Sequence, residues 1–69
     1  MKKINVFKFW DLPEGVTFSK QWGLYKFVLF RIGDMRPFKI VENKSFLKAV
    51  NIANKFIEQD NIERNGRRI

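Results

Sequence analysis

The chain contains no cysteine and no histidine. The first absence excludes disulfides, cysteinyl zinc sites and thiol chemistry together, and it suits a reducing cytoplasm, the location expected here. The second removes a common metal ligand and the side chain whose ordinary titration lies nearest neutral pH. Thr17, Ser19 and Ser45 therefore have no imidazole base to activate them. The seven acidic residues are scattered, and nothing pairs Glu42 or Glu58 into an acid–base dyad. The sequence predicts no enzyme, no cofactor, no metal and no small-molecule substrate. Glycine is sparse, and Gly23 and Gly33 stand alone without phosphate-loop spacing, so they read as turn residues. Long apolar runs are missing too: residues 27–30 form the longest uncharged one, far too short to span a membrane. The opening Met1-Lys2-Lys3 starts as a signal peptide would, but Lys8, Asp11 and Pro13 interrupt the apolar stretch that should follow.

What is abundant is positive charge. Fourteen lysines and arginines face seven acids, for a formal net charge of +7 and a pI near 10.2. Such a balance points to an anionic partner, with nucleic acid first, against the plainer reading that basic charge serves only solubility. Residues 20–48 hold Lys20, Lys26, Arg31, Arg36, Lys39, Lys44 and Lys48 against only Asp34 and Glu42. The basic ends, Met1-Lys2-Lys3 and Arg64-Asn65-Gly66-Arg67-Arg68, read as solubilising tails or as arms reaching phosphates. At 69 residues there is room for one hydrophobic core and no second domain.

The order of elements predicts an α+β fold: a small three- to four-stranded antiparallel sheet with one C-terminal helix packed on one face. Residues 4–10 (INVFKFW) are rich in β-branched and aromatic types and read as a first strand. Pro13 and Gly15 then break the chain, residues 16–18 follow as a short strand or an extended link, and residues 21–23 stay ambiguous. Residues 24–32 (LYKFVLFRI) give the strongest strand signal, with a turn at Gly33-Asp34 and a hairpin partner over residues 36–41. Pro37 lacks an amide donor and places that strand at an edge, or itself at the strand's start. From Ser45 as N-cap, with Asn43 as rival, Phe46, Ala49, Val50, Ala53, Phe56 and Ile57 recur along one helical face. The domain is thus read as residues 1–60, followed by a basic flexible tail over 61–69.

One helix covers one face of a sheet, so the other face should meet solvent or a partner. Alternation in residues 24–32 puts Leu24, Lys26, Val28, Phe30 and Ile32 on one side, and Tyr25, Phe27, Leu29 and Arg31 on the other. Tyr25 and Phe27 are the aromatics expected on the open side. An aromatic and basic sheet face suits either DNA or a protein partner, and no membrane.

From Asp11 the chain resembles the arm-site DNA-binding domain at the N-terminus of lambda-type tyrosine recombinases. The likeness rests on Asp11-Leu12-Pro13 leading into a strand, Gly23-Leu24-Tyr25 opening the next, and the Gly33-Asp34 turn. It continues through Ser45-Phe46-Leu47-Lys48-Ala49 to Ala53-Asn54, over roughly residues 11–58. It departs at residues 4–10, where that family carries a basic arm. The resemblance implies a three-stranded sheet on a C-terminal helix, with the open sheet face in the DNA major groove. By position it implies Lys20, Trp22, Tyr25, Lys26, Arg31, Arg36 and Lys39 as nucleic-acid-binding residues. It also implies a phage or mobile-element setting. The alternative is a small interaction module that modulates a host protein.

Overall fold

The computed structural model describes residues 2–8, 10–31 and 33–66, and places three antiparallel strands in the order β1-β2-β3 with one long helix on one side. The strands are β1 (Val16–Gln21), β2 (Leu24–Phe30) and β3 (Pro37–Asn43); the helix is α1 (Phe46–Gly66). This is the expected α+β architecture, with three strands among the described residues. No helix among them is long and apolar enough to cross a membrane.

Register fixes the faces. Phe27 lies opposite Phe18 on β1 and Val41 on β3, and Leu29 lies opposite Val16. These odd-numbered positions of β2 turn toward α1, whose Ala49, Val50, Ala53 and Ile57 complete the buried core. The two alanines let the helix approach the sheet closely, and the larger side chains fill the space between. Phe18, Tyr25, Phe27 and Phe46 form an aromatic cluster at one end, with ring centroids 5.0–6.1 Å apart, the range in which aromatic pairs add stability beyond area. The even-numbered positions of β2 occupy the uncovered face. The expectation for Tyr25 and Phe27 is therefore reversed: Phe27 is 0% exposed, and Tyr25 is half-buried among the rings. Alternation alone defined the two sets but carried no sign saying which one the helix would cover. Within β2 the covered set, Tyr25, Phe27 and Leu29, carries no charge, whereas the uncovered set includes Lys26.

The N-terminal segment is not a strand. Asn5 Oδ1 accepts a hydrogen bond from the Phe7 amide, and the Lys8 amide donates to the Asn5 carbonyl, so the backbone curls into a short 3₁₀ turn over Val6–Lys8. An asparagine side chain captures local amides in this way wherever no neighbouring strand claims them. Just before it, Ile4 is buried, and its amide and carbonyl are both taken by the Asn54 side chain on α1, at 2.7 and 3.0 Å. The segment thus docks on the helix instead of extending the sheet.

Both rival caps of α1 have a role. Asn43 Oδ1 accepts from the Ser45 amide at 2.9 Å, and Ser45 Oγ accepts from the Lys48 amide at 3.4 Å, so Asn43 turns the chain and Ser45 caps the helix. The helix runs on through Gly66, past the point where its apolar stripe ends at Ile57, and so takes in the first part of the segment read as a tail. Residues 67–69 lie outside the described residues, as does Ile32. Pro37 opens β3, the position where a missing donor costs no ladder bond. A bulge between Leu29 and Phe30 leaves Phe38 as the extra residue, since Leu29 pairs with Lys39 and Phe30 with Pro37.

Candidate functional site

The uncovered sheet face carries Thr17, Ser19 and Gln21 on β1, Leu24, Lys26, Val28 and Phe30 on β2, and Ile40 and Glu42 on β3. The cross-strand pairs are Thr17 with Val28, Ser19 with Lys26, Gln21 with Leu24, Val28 with Ile40, and Lys26 with Glu42. The three β1 side chains are all exposed and carry a hydroxyl or an amide. They repeat every second residue, about 7 Å apart along a strand. Toward the β2–β3 end the face is apolar, with Val28 and Phe30 half-buried and Ile40 exposed beside Val28; Leu24, also half-buried, lies beyond Lys26 at the β1–β2 hairpin end.

Of the seven residues proposed from sequence, Lys26 alone lies within this face. Trp22 stands at its end, on the hairpin between β1 and β2. Lys20, Tyr25 and Lys39 belong to the helix-covered side: the Lys20 ammonium sits 5.0 Å above the Tyr25 ring, and the Lys39 ammonium 4.4 Å above Phe56. Both lysines are nonetheless exposed, one on each outer strand. Arg36 is exposed in the β2–β3 connection, and Arg31 turns under the sheet to Asp60 on α1. The sequence reading missed Thr17, Ser19 and Gln21. Their signal was weak: Thr17 and Ser19 alternate with Val16 and Phe18, but the polar Lys20 breaks the pattern, and the reading ended the strand at residue 18 where β1 runs on to Gln21.

Trp22 is unusual in two ways. It is 90% exposed, and its φ of 56° places it in the left-handed region beside Gly23 at 75°. Two left-handed residues joining paired strands make the type I′ pattern, whose favoured first residue is asparagine or glycine. A tryptophan there is strained by roughly 1–2 kcal/mol and gains nothing from burial. Trp22→Asn should therefore stabilise the fold by about 1 kcal/mol, a rise of roughly 4–8 °C in melting temperature for a domain of this size. A fall in melting temperature would show that Trp22 supports the fold through a contact instead.

Among the described residues no group of three or more acidic side chains is placed to hold a metal ion. Comparison of the chain with protein-family models, with curated proteins and with solved structures finds no match.

Proposed function

We propose that this chain is a duplex-DNA-binding module that presents the uncovered face of its sheet to the major groove. The observation that carries the reading is a solvent-facing row of hydrogen-bonding side chains on β1, beside Lys26, in a chain of net charge +7. Three strands spaced 4.7–4.9 Å apart are roughly 10 Å wide, and the major groove is about 12 Å wide. The 7 Å repeat along β1 equals about two base-pair steps. Gln21 suits the paired donor and acceptor edge of adenine, Ser19 and Thr17 suit either kind of edge, and Val28 with Ile40 suit thymine methyl groups. Lys20 on β1 and Lys39 on β3 flank the sheet where the two phosphate backbones would run, and Arg36 adds a cation at the loop end. The resemblance to the recombinase arm-site domain implies the same face, although of the residues it assigned only Lys26 lies within it.

A second reading has its own observation. Val28, Phe30 and Ile40 form an apolar patch on this face, which suits the surface of a protein partner as well as a row of methyl groups. Salt separates the two. Fluorescence anisotropy with labelled duplex DNA should give a dissociation constant below about 10⁻⁴ M at low salt, falling steeply in affinity as salt rises, because each neutralised phosphate releases counterions. Absence of binding at that level, or binding indifferent to salt, would transfer the face to a protein partner.

A further inference from the structure

The far end of the fold gathers a second set of cations. Arg31 leaves β2 on the helix side, and Arg64 stands one turn beyond Asp60 on α1. Both direct Nε at the Asp60 carboxylate, Arg31 to Oδ1 at 2.8 Å and Arg64 to Oδ2 at 3.5 Å. The carboxylate is buried, with Asp60 4% exposed, whereas both arginine side chains are close to half-exposed. The Arg31 guanidinium is thus hydrogen-bonded at its inner edge to a fixed anion, and Arg64 is paired with the same carboxylate by charge without a hydrogen bond. In both arginines the contact to Asp60 is made by Nε, so the terminal nitrogens lie beyond it. A guanidinium has five N–H donors in a planar fork, so most of that donor capacity faces outward.

The surroundings restrict these cations further. The Arg31 guanidinium lies 5.0 Å above the Phe38 ring, and Lys39 sits over Phe56 next to it. The bulge in β3 produces this neighbourhood, because it turns the consecutive Phe38 and Lys39 both toward the helix. A cleft of about 200 Å³ opens between Arg31, Asp60, Glu63 and Arg64, and a smaller one continues past Lys39 and Gln59. Three cations against Asp60 and Glu63 leave a net charge of one positive unit, the complement of a phosphodiester. Glu63 is exposed, so its repulsion is screened by solvent and salt.

We infer that Arg31, Arg64 and Lys39 form a phosphodiester-binding site beside the β3 edge, preset by Asp60, which takes one backbone phosphate of the DNA engaged by the sheet. The site rests on the DNA reading for its ligand and on its own geometry for its oxyanion chemistry. Two forked donors approaching one tetrahedral anion bind it better than point charges of equal number, since their hydrogen bonds are aimed in advance.

The test uses the full chain, with Arg64 changed because Arg31 makes the shorter bond to Asp60. Duplex affinity is measured against salt for the wild type, Arg64→Gln and Arg64→Lys. Inorganic phosphate is titrated in parallel while the arginine Nε–Hε resonances are followed. Arg64→Gln should lower the salt slope by about one unit and weaken binding to all duplex sequences alike. Arg64→Lys should keep the slope and still lose affinity, an outcome that a purely structural role in holding Asp60 would not give. Phosphate should shift both arginines in the wild type, and Arg31 less in Arg64→Gln. Wild-type slope and affinity in Arg64→Gln, with phosphate moving neither arginine, would overturn the site and leave the DNA reading standing. Failure of the wild type to bind duplex, while phosphate still shifts both arginines, would overturn the DNA reading and leave an oxyanion site.

Discussion

Phe27→Ala should leave the protein largely unfolded at room temperature. Phe27 is 0% exposed at the centre of the middle strand, between Phe18 and Val41, and its ring contacts those of Phe18 and Phe46. Removing a buried phenyl group costs about 3–5 kcal/mol, from lost transfer energy and from the cavity left behind. Whole domains have only about 5–15 kcal/mol of stability, and one of 69 residues with no disulfide to constrain its unfolded state belongs at the low end. Circular dichroism against urea should show the transition midpoint move close to zero denaturant. A midpoint near that of the wild type would show that the helix covers the other side of the sheet.

Arg31→Ala should come second in effect, at about 2–4 kcal/mol. Removing one partner of an ion pair leaves the other charge buried and uncompensated, which is worse than never having built the pair. Asp60 is the buried partner, and its Oδ2 already lacks a hydrogen bond. Arg64 remains nearby at 3.5 Å and offsets part of the loss. Asp60→Asn should be milder, because an amide oxygen still accepts from Arg31 and no charge is stranded. Thermal melts of the two variants test the order; if Asp60→Asn proves the more damaging, the pair stabilises chiefly by Coulomb attraction.

Much of this arrangement was legible in the residues. The helix stripe from Phe46 to Ile57, the edge position of Pro37 and the turn at Gly33 follow from periodicity and from the backbone limits of proline and glycine. Asp60 was legible in part: it falls three residues after Ile57 on the same stripe, and Arg31 falls two after Leu29 on the strand's inner set. Each pattern thus ends on a charge, and the two charges meet. The short N-terminal turn was not legible, because residues 4–10 have strand composition and only the distant Asn54 decides that they pair with a helix. The binding face was half legible. Lys26 came from the resemblance, while alternation assigned it to the set expected to be covered; the side taken by Lys20 and Lys39 follows from their register opposite Tyr25 and Leu29, which needed the strand pairing to be known.

The most direct measurement is a backbone amide NMR map of the labelled chain as duplex DNA is added at low salt. The account predicts the largest shifts at Thr17, Ser19, Gln21, Trp22 and Lys26, with the solvent side of α1 at Asn51, Lys55 and Glu58 unmoved. Shifts concentrated on that outer helix side, with the β1 row silent, would contradict it.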